Sequence, residues 1–126
     1  MTPTDKCSDK HPFQRFEMLV GEAALQHLRE AKVAIFGVGG VGGYVAEALA
    51  RSGVGELAWI DADTVDITNL NRQIIALHST VGRLKVEVAA ERIKDINPLC
   101  EITTFPLFYL PETAEQIDLS RYDYVA

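Results

Sequence analysis

The chain is poor in cysteine. Cys7 and Cys100 are its only two cysteines in 126 residues. They lie far apart, and neither has a partner cysteine or histidine at metal-ligand spacing. The sequence therefore indicates neither a zinc site nor a disulfide framework. A reducing compartment fits this usage best, and we expect a cytoplasmic protein.

Long apolar runs and an excess of positive charge are also missing. No apolar stretch approaches the length of a membrane span, and no signal-peptide segment follows the polar residues 1–6. We therefore expect no membrane association. With 18 acidic and 12 basic residues the net charge is −6, which argues against coating of nucleic acid by bulk charge and leaves only a local basic patch.

The most informative stretch lies between residues 32 and 51. Residues 33–36 form an unbroken apolar run, typical of a parallel strand that is covered on both faces. Four apolar residues then recur at helical spacing: Val41, Val45, Ala48 and Leu49. Gly37, Gly39 and Gly40 lie between the two segments, and Gly42 follows Val41 at the start of the second. The pattern predicts a strand, a glycine turn and a helix in immediate succession.

Each glycine position in this turn has a physical use. Gly37 permits the tight turn out of the strand, Gly39 lets the backbone approach a phosphate, and Gly42 lets the helix pack close to the strand. The unpaired amides at the helix start then face an anion. The stretch predicts a nucleotide site without saying which nucleotide.

A second strand is predicted over residues 56–60, and Asp61 stands at its carboxyl end. An acidic side chain at this distance from the glycine turn accepts hydrogen bonds from a nucleotide ribose. The alternative, an aspartate that only ends a strand or caps a turn, stays open.

The polar, non-periodic residues 61–73 follow where a nucleotide-binding crevice opens. After a short helical or irregular segment over residues 74–77, Ser79 or Thr80 is predicted to cap a helix over residues 81–96. Its predicted inward face consists of Val81, Leu84, Val88, Ile93 and Ile96. Lys85 falls in the first turn, where the helix dipole disfavours a cation unless it meets an anion. Its position therefore suggests a ligand.

The remaining elements complete the fold class. We predict a third strand over residues 101–105, a short helix over 111–119, and a fourth strand from Tyr122 that the end of the sequence truncates. This alternation is typical of a Rossmann-like, doubly wound α/β fold with a mostly parallel sheet. Before it, residues 1–10 are predicted to be a disordered tail and residues 11–31 a helical preamble, broken at Val20-Gly21. The apolar side chains of the preamble cover either the intrachain core or a neighbouring subunit.

The cations of the polar stretch favour ATP over a redox nucleotide. A dehydrogenase keeps its pyrophosphate intact, whereas adenylation builds negative charge on phosphoryl oxygens. Arg72 and Lys85 suit that second task, although in isolation they would be read as ordinary solvated charges. Asp63 could hold Arg72 or a magnesium-bound water. Three amides could orient phosphate oxygens or purine edges: Asn69, Asn71 and Gln73.

Four motifs stand in the order typical of the ubiquitin-activating-type (HesA/MoeB/ThiF) adenylyltransferase superfamily, which the chain resembles from about residue 13 to residue 126. They are Gly37-Val38-Gly39-Gly40-Val41-Gly42, Asp61-Ala62-Asp63, Thr68-Asn69-Leu70-Asn71-Arg72-Gln73 and Thr80-Val81-Gly82-Arg83-Leu84-Lys85. Within this superfamily, Arg15-Phe16 and residues 43–55, 76–82 and 96–98 most resemble the tRNA threonylcarbamoyladenosine dehydratases.

The resemblance implies an ATP-binding adenylation domain over residues 32–126, with ATP and Mg²⁺ as cofactors. It implies that Gly39 and Gly42 line the phosphates and that Asp61 binds the ribose. It also implies that Asn69, Arg72 and Lys85 hold the phosphates and stabilise charge in the transfer, and that Gln73 supports them. Arg15 matches an arginine that reaches the ATP of the other subunit in a homodimer. The implied substrate is a tRNA whose modified adenosine carries a carboxylate, which ATP activates before ring closure.

Two features of the superfamily fall beyond residue 126. They are the magnesium-binding aspartate after the fourth strand and the catalytic cysteine of several members. We therefore assign no metal ligand within this sequence and give Cys100 the role of a small buried residue. Three alternatives stay open: activation of the C-terminus of a ubiquitin-like sulfur-carrier protein, an NAD-dependent oxidoreductase, and a nucleotide-binding module without catalysis.

Overall fold

The computed structural model describes residues 10–126. Its strands are β1 (Lys32–Phe36), β2 (Glu56–Ile60), β3 (Glu101–Phe105) and β4 (Tyr124–Val125). Its helices are α1 (Gln14–Val20), α2 (Glu22–Glu30), α3 (Val41–Arg51) and α4 (Lys85–Ile96), with 3-10 turns at Ile67–Asn69, Ala114–Gln116 and Leu119–Arg121. The strands form one parallel sheet in the order β3-β2-β1-β4. The predicted Rossmann-like α/β fold is confirmed.

Apolar side chains cover both faces of the sheet. On one face, Leu57 and Trp59 of β2 are fully buried against α3 and α4. On the other face, Ala34 and Ala58 pack with Ile117, which belongs to the segment between β3 and β4. The two central strands are therefore buried on both sides, as their unbroken apolar runs require.

The preamble packs within the chain through α2. Phe13 and Leu25 are buried, and the backbone N–H of Gly55 donates to the carbonyl of Leu28 over 3.1 Å. A Cβ at Gly55 would lie 1.8 Å from the carbonyl oxygen of Arg29, so α2 sits directly on the turn before β2. The predicted break at Gly21 is confirmed. Residues 1–9 of the predicted tail lie outside the described residues.

Helix α4 begins later than predicted. The sequence predicted a start at Val81, but residues 81–84 run in an irregular segment and Lys85 is the first helical residue. Gly82 has a φ of 88°, and its N–H donates to the carbonyl of Val65. Residues 81–84 therefore pair with the polar loop, residues 61–73, instead of starting the helix. Thr80 caps no helix, because its hydroxyl donates to the carbonyl of Ile75. Val81 is 39% exposed, so its predicted place in the core is wrong.

Another sequence prediction needs correction. The helix predicted over residues 111–119 is absent, and turns with two 3-10 segments take its place. In α3 the buried residues are Gly43, Ala46 and Ala50, whereas Val41 is 77% exposed. Small side chains face the sheet because they let the helix approach it closely, and this leaves Val41 on the outside.

Candidate functional site

The site predicted from the sequence lies where β1 and β2 end side by side. Phe36 and Ile60 are paired at the carboxyl ends of these strands, and the N–H of Gly37 donates to the carbonyl of Ile60 over 2.9 Å. Gly37 has a φ of 85° and Gly40 a φ of 58°, values in the left-handed region that favours glycine. The chain thus turns sharply from β1 into α3 at the edge where ligands bind in open parallel sheets.

Gly42 stands at the tightest contact of the turn. A Cβ built there would lie 2.1 Å from the carbonyl oxygen of Gly37 and 3.8 Å from Cγ2 of Ile35. The first turn of α3 therefore rests on the end of β1, the close packing that the sequence predicted for Gly42. The approach aims the N-terminus of α3 at the crevice.

Gly39 makes room for a side chain of the same protein. A Cβ at Gly39 would lie 2.7 Å from Nε2 of Gln73. Gln73 is only 9% exposed, and its buried Oε1 has no hydrogen-bond partner within residues 10–126. The sequence attributed this glycine to phosphate approach, whereas the structure adds a contact inside the chain.

Asp61 ties the glycine turn to the polar loop. Its Oδ2 accepts from the backbone N–H of Val38 over 2.9 Å, and its Oδ1 accepts from the N–H of Asp63 over 2.8 Å. In the structure, Asp61 therefore has the turn-stabilising role that the sequence left open as an alternative. Each carboxylate oxygen has more than one lone pair, so the predicted ribose contact is compatible with these bonds and stays a prediction.

Lys85 continues this chain of contacts. As the first residue of α4, it donates its backbone N–H to the carbonyl of Asp63 over 3.0 Å. The residue is 7% exposed, yet its ammonium has no carboxylate within ion-pair distance in the described part of the chain. A cation at the positive end of a helix, with no internal counter-ion, favours an external anion.

Arg72 rests on its own loop. Its Nη1 donates to Oδ1 of Asn71 over 2.9 Å and to the carbonyl of Thr68 over 3.2 Å. Between residues 10 and 126, no ion pair joins Arg72 to Asp63, so that suggested pairing is wrong. Both partners of the guanidinium are neutral, which leaves its charge available to a ligand.

Arg15 lies away from these residues, on the exposed side of α1. No ion pair or side-chain hydrogen bond links it to the glycine turn within the described residues. Met18 and Leu19, three and four positions further along the helix, are each 82% exposed. Residues at this spacing share one helix face, so Arg15 stands on a surface that its own chain leaves open.

The described residues do not fit a metal centre by themselves. Among residues 10–126 no three histidine, cysteine, aspartate or glutamate side chains gather at metal-binding distance. Cys100 is fully buried, and burial raises the pKa of its thiol to about 11. A thiol in that state supplies almost no thiolate at neutral pH, as expected for a structural residue.

Sequence reasoning missed Asp66. Its carboxylate accepts from the N–H of Thr68 over 2.8 Å, and its own N–H donates to Oδ1 of Asn69 over 2.8 Å. The available signal was an aspartate three residues before an asparagine, a spacing typical of a reciprocal helix cap. The turn that follows carries Asn69, Asn71, Arg72 and Gln73.

Comparison with known proteins gives consistent matches. The model of the ThiF family matches residues 13–126. A tRNA threonylcarbamoyladenosine dehydratase of Bacillus subtilis is 52% identical over 115 residues, covering 91% of this chain and 45% of that protein. A sulfur carrier protein adenylyltransferase of Thermus thermophilus is 33% identical over 117 residues, covering 93% and 43%.

A solved structure adds the nucleotide. The crystal structure of an E. coli tRNA N6-threonylcarbamoyladenosine dehydratase in complex with ATP superimposes with a TM-score of 0.86 at 46% identity. The match covers 90% of this chain and 47% of that one. The chain thus spans less than half the length of the relatives it matches.

Proposed function

This chain belongs to the ThiF family, the superfamily that its motifs resemble, and on that premise we propose that it is the ATP-binding portion of an adenylating enzyme. The proposed enzyme is a tRNA threonylcarbamoyladenosine dehydratase. The observation that carries the proposal is Lys85, the first residue of α4, which is 7% exposed and forms no ion pair in the described residues. Its backbone N–H donates to the Asp63 carbonyl, and the Asp61 carboxylate accepts from the N–H groups of Asp63 and of Val38 in the glycine turn. The 46% identical relative solved with ATP supports the choice of nucleotide.

The proposed ATP site joins the carboxyl ends of β1 and β2 to the start of α4. The glycine turn and the first amides of α3 would face the phosphates. Asp61 and Asp63 would lie at the ribose side. The remaining groups would contact phosphate oxygens from the loop and from α4: Asn69, Asn71, Arg72, Gln73 and Lys85. All but Arg72 and Lys85 are uncharged donors, so these two cations supply the positive charge.

The proposed reaction is activation of a carboxylate. A carboxylate oxygen of the threonylcarbamoyl group bonds to the α-phosphorus of ATP, and the bond from that phosphorus to pyrophosphate breaks. In ring closure, a nucleophilic atom of the carbamoyl group bonds to the carboxyl carbon and releases its proton, while the bond from that carbon to the activated oxygen breaks. AMP departs with that oxygen, which is a net loss of one water from the nucleoside. Negative charge grows on the phosphoryl oxygens, so fixed cations lower the barrier. Arg72 uses Nη1 for the Thr68 carbonyl and Asn71, so its other guanidinium donors remain for the phosphates.

The organisation follows from this assignment. We propose that residues 11–31 form a preamble and residues 32–126 the N-terminal part of the adenylation domain. None of the helices in residues 10–126 is both long and apolar enough to cross a membrane. Since tRNA is the proposed substrate, the proposed compartment is the cytoplasm.

The second candidate is adenylation of a sulfur-carrier protein, which the relative from Thermus thermophilus favours. It would use the same ATP site with a protein carboxylate as nucleophile. A third class, the NAD-dependent oxidoreductases, shares the glycine turn but has no need of Lys85 and Arg72 on the phosphates. Equilibrium titration of the full-length protein should give tighter binding of ATP than of NAD. Comparable or tighter binding of NAD would contradict adenylation.

We also propose that the enzyme is a homodimer in which Arg15 reaches the ATP of its partner. Its position on the open face of α1, beside Met18 and Leu19, supports this arrangement. Mixing full-length Arg15→Ala with full-length Lys85→Ala should restore about a quarter of wild-type activity, because a mixed dimer keeps one intact site. Two variants that stay inactive after mixing and subunit exchange would contradict action across the interface.

A further inference from the structure

Asp66 and Asn69 are joined by reciprocal hydrogen bonds within the polar loop of residues 61–73. The Asp66 carboxylate accepts from the N–H of Thr68 over 2.8 Å and also from the Thr68 hydroxyl. In return, the N–H of Asp66 donates to Oδ1 of Asn69 over 2.8 Å, and the N–H of Asn69 donates to the Asp66 carbonyl over 2.9 Å. These bonds close the 3-10 turn Ile67–Asn69 from both ends.

The cap fixes the direction of the Asn69 side chain. Asn69 is 7% exposed, and its only acceptor atom, Oδ1, is already engaged by Asp66. Its Nδ2 group has no hydrogen-bond acceptor in the described part of the chain. An amide held in this way keeps its oxygen on Asp66 and leaves its two Nδ2 donors without an acceptor in the described residues. That polarity matches a phosphate oxygen and mismatches a donor such as a hydroxyl proton.

The same turn sets the next two residues of the site. The carbonyl of Asn69 accepts from the N–H of Arg72 over 3.1 Å and from the N–H of Gln73 over 2.9 Å. The carbonyl of Thr68 accepts from the Arg72 guanidinium over 3.2 Å. A change in the turn at Ile67–Asn69 therefore displaces Arg72 and Gln73 together with Asn69.

The charge of Asp66 and its capping hydrogen bonds have opposite effects on ATP binding. Hydrogen bonds from Thr68 hold the pKa of this carboxyl below its ordinary value, and the positive charge of Lys85 lowers it further. Asp66 is therefore ionised at neutral pH, although it forms no ion pair with Lys85. That negative charge repels a triphosphate, whereas the cap orders the groups that bind it.

We propose that Asp66 is a positioning residue for ATP, acting through the turn Ile67–Asn69 to fix Asn69, Arg72 and Gln73. The inference rests on the proposed function, because ATP is the ligand concerned. Asp66 touches neither the phosphates nor the reacting carboxylate. Its contribution is the geometry of the capped turn, which a neutral capping residue can supply equally well.

Two variants separate the cap from the charge. Asp66→Asn and Asp66→Ala both remove the negative charge, but only asparagine caps a turn as aspartate does. We expect full-length Asp66→Asn to bind ATP at least as tightly as the wild type. Asp66→Ala should bind it about fivefold more weakly than Asp66→Asn, from the loss of one cap. Asp95→Ala, the loss of an exposed carboxylate on α4, is the matched control and should leave ATP affinity unchanged.

A double-mutant cycle tests whether Asp66 acts through Asn69. Asn69→Ala alone should weaken ATP binding, and adding Asp66→Ala should cost less than it does in the wild type, because the capped amide is already gone. Equal ATP affinities of Asp66→Ala and Asp66→Asn, or strictly additive losses in the cycle, would overturn the role of Asp66. Failure of the wild type to bind ATP would instead overturn the proposed function, and this inference with it.

Discussion

Replacement of Lys85 by alanine should lower ATP-dependent turnover of the full-length enzyme by about a hundredfold or more. Lys85 is 7% exposed at the start of α4 and forms no ion pair in residues 10–126, so within one subunit of the proposed site Lys85 and Arg72 are the two cations that meet the phosphates. Removing it leaves charge on the transferring phosphoryl group without a partner. Steady-state kinetics with saturating tRNA measures the loss.

Lys32→Ala is the matched control for this variant. Lys32 opens β1 at the opposite edge of the sheet, and its side chain is exposed. The substitution removes the same charge without approaching the nucleotide, so turnover should stay within about twofold of the wild type. If Lys85→Ala were as active as Lys32→Ala, the lysine would have no part in phosphate chemistry and the proposed site would be misplaced.

Gly42→Ala should damage both stability and ATP binding. The new methyl group would lie 2.1 Å from the Gly37 carbonyl, so either the turn or α3 must move. We expect a loss of about 1–3 kcal/mol in the free energy of unfolding. Because the displaced groups are those that approach the phosphates, ATP affinity should fall by on the order of tenfold or more. Denaturant unfolding and ATP titration give the two values.

Helix propensity alone predicts the opposite sign for Gly42→Ala, since alanine is the better helix former. Ala48→Gly provides the comparison, because Ala48 is exposed on α3 and its loss costs only about 1 kcal/mol of propensity. ATP binding by Ala48→Gly should be unaffected. A Gly42→Ala protein that is more stable than wild type and binds ATP normally would show that the turn accommodates a methyl group at this position.

The sequence predicted the parts of the fold that local chemistry determines. An unbroken apolar run and a following glycine turn define β1 and the start of α3, and the structure contains both. The start of α4 could not be read in the same way. Residues 81–84 have the apolar spacing of a helix, but Thr64 forms a bridge with Leu84 and Gly82 bonds to Val65. These contacts join residues about 17 to 20 positions apart in the sequence, so the spacing of apolar residues does not predict them.

The candidate site shows the same division. Residue type and order place Asp61, Lys85 and the glycines in one predicted site. In the structure the Asp61 carboxylate accepts from the N–H groups of Val38 and Asp63, and the N–H of Lys85 donates to the Asp63 carbonyl. The hydrogen-bond partners of individual side chains were harder to predict from the sequence. The sequence suggested Asp63 as a partner for Arg72, but the guanidinium donates to the Thr68 carbonyl and to Oδ1 of Asn71. Choosing among several polar neighbours depends on backbone geometry that only the folded chain supplies.

The proposed function requires this protein to use ATP to activate a carboxylate on tRNA. The direct measurement incubates the full-length protein with ATP, magnesium and tRNA that carries threonylcarbamoyladenosine, and follows the nucleoside by mass spectrometry. We expect loss of one water per modified nucleoside, dependent on ATP and absent with Lys85→Ala. An unchanged nucleoside mass with ATP present would contradict the dehydratase assignment, and water loss without ATP would contradict the role given to the nucleotide site.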